Sequence, residues 1–263
     1  MGAYSAIWTA RFRTLIQYRA AAFGGLVTQF FFGFIYVMVY EAFYASATTG
    51  QPIALSHVIT LVWLGQALLG MLPWNVDPEV KAMVRSGSVS YELLRPVDLY
   101  GFWYARALAQ RTAPTLLRAV PLVIVCGLFF GLRPPASAAS AGAFAAALLG
   151  SLLLGCAITV LFDVTLLWTV SGEGIVSIAT SLVVVLSGMN VPLPFFPDWL
   201  QPVLRALPFR GLIDTPFRLY TGDIPPSDLP WMLLHQAAWT ALLVVAGRLL
   251  MKRGLRRLSV QGG

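Results

Sequence analysis

Polar positions interrupt this chain in only a few places, and the apolar runs between them lack the strict alternation of half-buried strands. Runs over residues 21–44, 53–74, 112–132, 139–170, 175–189 and 231–251 predict six transmembrane helices. A spanning helix needs about 20 apolar residues, so the fifth is expected to fall short. Ahead of the first run, Tyr4, Ile7, Trp8, Phe12, Leu15 and Ile16 recur at three-and-four spacing. Ser5, Thr9, Arg13 and Gln17 line another face, which predicts an interfacial helix over residues 1–19. Residues 190–230 are Pro-rich and aromatic, and predict short helices dipping back into the outer leaflet as an extracellular re-entrant cap. The fold class expected is an all-α membrane protein, one transmembrane domain over 1–263, with a polar segment at 75–111.

Composition agrees with a bilayer. The chain is 58% hydrophobic and 11% charged, against about 25% charged for a soluble domain, and its mean hydropathy is +0.75. Backbone in lipid must pair internally, which leaves helices or a closed barrel, and the long unalternating runs choose helices. The net charge of +7 does not point to nucleic acid, because the basic residues flank apolar runs and form no stripe. With the N-terminus inside, 13 of the 18 basic residues fall on inner segments: Arg11, Arg13 and Arg19; Lys81, Arg85, Arg95, Arg106, Arg111 and Arg118; Lys252, Arg253, Arg256 and Arg257. Arg133, Arg205, Arg210 and Arg218 fall outside. This bias predicts both termini in the cytoplasm. The first span, lacking a cleavage signature, is expected to act as an uncleaved insertion signal.

Little chemistry is visible. Lys81 and Lys252 follow Val80 and Met251, so no Gly-Lys-Ser/Thr loop exists to cradle a nucleotide phosphate. His57 and His235 have no companion ligands nearby in sequence, and Cys126 and Cys156 lie inside apolar runs as core residues without a disulfide. No catalytic residue, metal site or cofactor of its own is expected. Asp163 is the carboxylate set deepest in a predicted span. It reads either as part of a transport path or as a helix-end Asp hydrogen-bonded to a Thr or Trp of the bundle. Glu41 reads as solvated, and Glu173 as solvated or contacting a partner.

The segment from Arg85 to Arg111 carries both charge signs and a rigid Arg95-Pro96 step. Within it runs Gly87-Ser88-Val89-Ser90-Tyr91-Glu92-Leu93-Leu94-Arg95-Pro96. Further on come Leu186-Ser187-Gly188, then Pro192, Pro194 and Pro197, Leu207-Pro208-Phe209, Thr215-Pro216 and Thr221-Gly222. In these stretches and in its six-span plan the chain resembles permease subunits of type-2 ABC exporters, the bacterial ABC-2 family transporter proteins. The resemblance implies a second permease, identical or related, and two cytoplasmic ABC ATPase subunits that carry the ATP and Mg. It also implies that the loop after the second span is a coupling helix seated in the ATPase, involving Arg85, Gly87, Glu92, Leu93, Leu94, Arg95 and Pro96. Phe30, Phe31, Phe34, Trp63, Asp163, Ser181 and Ser187 are expected to line a path for a drug, lipid or other amphipathic cargo across a bacterial cytoplasmic membrane. The alternatives are a self-sufficient ion-coupled carrier or channel, or a membrane scaffold without transport.

Overall fold

The computed structural model describes residues 2–17, 19–94, 96–169 and 173–256, and within these leaves aside the side chains of residues 19–21 and 173. Arg95, residues 170–172, the Glu173 and Arg19 side chains and the tail from Arg257 therefore lie outside the described residues. The described residues are predominantly helical and contain no strand. In chain order the helices are α1 (Ala3–Ile16), α2 (Arg19–Ser46), α3 (Leu55–Ala67), α4 (Pro78–Arg85), α5 (Val89–Leu93) and α6 (Leu99–Phe129). They continue as α7 (Ala138–Thr165), α8 (Glu173–Leu186), α9 (Gln201–Ala206), α10 (Asp214–Thr221) and α11 (Leu229–Leu255). Short 3-10 turns punctuate the loops.

Where six spans are expected, four helical stretches among the described residues are long and apolar enough to cross a membrane: Ala22–Ser46, Leu99–Phe129, Ala138–Thr165 and Pro226–Leu255. The second and fifth apolar runs form the shorter helices α3 and α8. The second stops early because the chain must pass close to α6: a Cβ at Gly70 would lie 2.5 Å from Thr115 Oγ1. After Ala67 the backbone therefore tightens into a 3-10 turn at Leu69–Met71. At the other extreme, α6 starts at Leu99, well before the apolar run at 112–132. Asp98 caps it by accepting the Gly101 N–H at 2.8 Å. The polar segment at 75–111 is thus α4, α5 and the first turns of α6.

Helix α7 is the axis of the bundle, with α6, α10 and α11 packed around it. Its small residues permit close backbone approach: a Cβ at Gly155 would stand 2.9 Å from the Met71 carbonyl. Ser151 Oγ donates to the Gly211 and Leu212 carbonyls at 2.7 and 3.0 Å. Gln236 Nε2 donates to the Ala147 and Gly211 carbonyls at 2.9 and 2.8 Å. These bonds tie the irregular 190–230 region to α7 and α11. That region consists of short helices, and α10 buries Phe217 and Leu219 against the bundle. Irregular backbone needs such protein contacts if it is to sit beside lipid.

Candidate functional site

The polar residues converge where α4, α5 and the start of α6 meet α1 and α7. Asp77-Pro78 opens α4: the Asp77 carboxylate accepts the Glu79 N–H at 2.8 Å, and proline occupies the first turn, where no N–H is needed. Asp77 is nonetheless buried, so its second oxygen needs partners. It receives Arg106 Nη2 at 3.0 Å, Arg106 Nε at 3.2 Å and Gln110 Nε2 at 2.9 Å. Arg106 and Gln110 stand one turn apart on α6, which points both donors at one spot. The same guanidinium reaches Glu79 Oε2 at 2.7 Å and stands 3.8 Å from Glu92 Oε1. Arg106 is thus a fork shared by three carboxylates, a geometry that a lysine's point charge does not reproduce.

The hub extends in two directions. Arg11 of α1 pairs with Glu79. Its hydrogen bond, helped by Arg106, holds the Glu79 carboxyl below the usual carboxylate range. On the other side, the Asp77 backbone N–H donates to Asp163 Oδ1 at 2.7 Å. Asp163 is almost fully buried. The sequence leaves it open between a transport path and a helix-end residue bonded to a Thr or Trp; the partner it has here is neither, but a backbone amide of the polar segment.

One turn deeper, Arg111 does a different job. The break after α3 leaves the carbonyls of Gly70, Met71 and Leu72 without helical partners. Arg111 Nη1 donates to Met71 O at 3.3 Å, to Gly70 O at 3.5 Å and to Leu72 O. Its Nε donates to Thr159 Oγ1 of α7 at 2.8 Å. A guanidinium counted in sequence as an inner-side charge is buried, and it holds the carbonyls of the 3-10 turn that follows α3.

Across the segment, the residues expected at the ATPase divide into two sets. Arg85 is exposed at the end of α4, and Gly87 makes the turn to α5 with φ of +72°, a conformation that favours glycine. Tyr91, Leu93 and Leu94 are 72%, 48% and 80% exposed, and Pro96 follows them at the surface. Glu92 is buried instead, accepting the Trp103 Nε1–H at 2.9 Å. It lies beneath the surface of α5 and fixes the helix to α6. Arg95 is outside the described residues.

The residues expected along a path also separate. Phe30, Phe34 and Trp63 come together with Phe130, with ring centroids 6.1 Å apart for Phe30–Trp63, 5.2 Å for Phe34–Trp63 and 4.8 Å for Phe34–Phe130. Trp63 is buried and donates its Nε1–H to Phe130 O at 2.7 Å, so this cluster holds α2, α3 and α6 together. Ser187 is buried at the end of α8. Phe31 of α2 and Ser181 of α8 face outward. Ser181 lines a groove of about 340 Å³ with Trp74, Asn75, Lys81, Ser177 and Thr180.

Sequence reasoning missed Asp77, Glu79, Gln110 and Arg11, and took Arg106 and Arg111 as bulk positive charge. The Asp-Pro step was the available signal, since it marks a helix start. The partners 29 and 86 residues away were not legible.

Comparison with curated proteins gives no match, and neither does comparison with solved structures. A family model described as ABC-2 family transporter protein matches residues 30–262, nearly the whole chain. With helices fit to cross a membrane several times and a polar segment braced against them, the chain belongs to this family: it is a multi-pass permease component of an ABC transporter, which works with an ABC ATPase subunit.

Proposed function

We propose that the chain is the membrane half of an ATP-driven exporter and receives its stroke through α5. The observation that carries this reading is the two-sided build of that helix. Tyr91, Leu93 and Leu94 offer an exposed apolar ridge next to Arg85, a composition suited to the core of a protein interface. Directly behind, Glu92 is bonded to Trp103 and faces Arg106. A push on the ridge therefore reaches α6 through bonded groups, and reaches α1 and α7 through Glu79 and Asp77. The ridge and the basic-rich ends of α1 and α11 belong on the cytoplasmic side, with residues 190–230 outside.

The path follows from the division of the lining candidates. Trp63 and Ser187 are buried in packing, whereas Phe31 and Ser181 look out from α2 and α8. A route using those outward faces lies between this chain and a second permease, identical or related. The exposed side of α2 carries Phe23, Val27, Phe31 and Met38. An apolar wall of that kind suits amphipathic or hydrophobic cargo such as a drug or lipid, with the Ser177–Ser181 groove receiving its polar end. A bacterial cytoplasmic membrane is the setting that fits.

The test is reconstitution with the ATPase subunit in vesicles. Leu94→Asp and Tyr91→Asp should abolish permease-stimulated ATP hydrolysis while the protein still accumulates and keeps its melting temperature. Stimulation unchanged in both variants would refute the assignment of α5. Uphill transport by the isolated chain in an ion gradient would refute the whole reading.

A further inference from the structure

Away from the polar hub, α1 packs on α6 and, with α11 opposite, leaves an open-sided groove of about 510 Å³ among Tyr4, Trp8, Tyr100, Leu108, Val244 and Arg248. This is within the roughly 300–1,000 Å³ typical of small-molecule sites. Its walls are apolar except at one end, and two of its lining residues carry hydrogen-bond donors without a partner. Tyr100 is 2% exposed, and its hydroxyl is buried and unbonded; the Trp8 indole N–H is likewise buried and unbonded. Buried tyrosine and tryptophan donors ordinarily find an acceptor. Two orphans on residues lining one groove mark the place of a missing one.

The charged end narrows the choice. Arg248 sits 5.4 Å from the centre of the Tyr100 ring and gives one Nη2 bond, at 3.1 Å, to Asp98 Oδ2. Asp98 is occupied as well by the Gly101 N–H. The Arg248 side chain remains 55% exposed, and Lys252 is exposed one turn further along α11. The groove thus runs from an apolar floor, past two residues whose donors lack a partner, to a cationic mouth. A free phosphate would gain nothing from the floor, and a neutral hydrocarbon nothing from the mouth.

We propose that this groove holds one anionic glycerophospholipid of the leaflet on which α1 lies. One acyl chain runs along Leu108 and Val244, the ester carbonyls accept from Tyr100 Oη and Trp8 Nε1, and the phosphate meets Arg248. Basic pockets between membrane helices bind acidic headgroups by this chemistry. The inference rests on the membrane placement of α1 and α11, not on transport or on the ATPase.

The experiment is native mass spectrometry of the full chain released from nanodiscs of equimolar phosphatidylglycerol and phosphatidylcholine. One phosphatidylglycerol should stay with each chain in preference to phosphatidylcholine. Arg248→Gln should lower its retention about fivefold, the weight of one basic residue at an anionic surface. Tyr100→Phe, which removes only the hydroxyl, should lower it about threefold. Val244→Trp, which fills the groove without touching the Asp98 pair, should abolish it. Equal retention of the two lipids, or full retention in the Val244→Trp variant, would overturn the proposal. Leu94→Asp should leave the lipid count unchanged, so failure of the α5 assignment and failure of this site read out separately.

Discussion

The two short apolar helices, α3 and α8, are nearly equal in length and opposite in anchoring. Helix α3 buries Val58, Trp63, Leu64 and Ala67, and the carbonyls of the turn that follows it are held by Arg111. Helix α8 buries Val176 and Val183 but turns Ile175, Ile178, Leu182 and Val185 outward, 44–67% exposed. Its polar ties to the rest are few: Thr180 Oγ1 to Trp74 O at 2.9 Å, and Ser187 O accepting the Asp214 N–H at 3.1 Å. A helix too short to cross can be made part of a rigid wall by a charge that holds the turn after it, or left on the face of the bundle for other contacts. Here the chain does one of each.

The strongest way to break this contrast is to release the turn after α3. Arg111→Leu leaves the buried Leu72 carbonyl, the part-buried Gly70 and Met71 carbonyls and Thr159 without their donor, the buried groups costing about 1–3 kcal/mol each. We expect poor accumulation and a large fall in melting temperature in detergent, with Arg111→Lys recovering part. A melting temperature unchanged in Arg111→Leu would show that these bonds are dispensable. On α8 the buried face should matter less. Val183→Ala is expected to cost about 1–2 kcal/mol, measured by the same melt. The tie between α1 and α4 comes next. Glu79 has its pKa lowered in the folded protein, so the stabilisation from Arg11 is complete above the ordinary carboxylate range and is lost as pH falls through the lowered value. The pair is half exposed and worth about 0.2–1 kcal/mol. Trp8 fluorescence should shift on acidification in the native protein, and Glu79→Gln should show that shift already at neutral pH. The smallest effect belongs to the outer face of α8: Ile178→Ala should change stability by less than about 0.5 kcal/mol. A loss as large as that from Val183→Ala would mean that α8 is anchored on both faces.

The same contrast shows what the sequence could reveal. Hydropathy located the apolar runs, because lipid exposure and core burial both select apolar residues. It could not see that the run at 53–74 breaks, since the cause is the approach of Thr115 to Gly70 from another helix. Nor did it place the start of α6, where Arg106 and Arg111 look polar in a window average but are buried by specific partners. The interfacial pattern at Tyr4–Ile16 corresponds to α1, whereas the orphan donors on Tyr100 and Trp8 became visible only when α1 was set against α6. Glu92 is the sharpest case: beside Leu93 and Leu94 in the chain, it differs from them by facing inward, and five residues of helix are too few to show which way a face turns.

The hold on the turn after α3 has a consequence for how the protein is made. When the chain up to Leu72 leaves the ribosome, neither Arg111 nor Thr159 has been synthesised, and the carbonyls of Gly70, Met71 and Leu72 have only water or the insertion machinery to bond. The second apolar segment cannot settle in hydrocarbon on its own account; it must wait at the translocon until α6 and α7 emerge. Biogenesis of this permease is thereby committed to a late, concerted step, and a nascent chain arrested before Thr159 should be a ready substrate for membrane quality-control proteases.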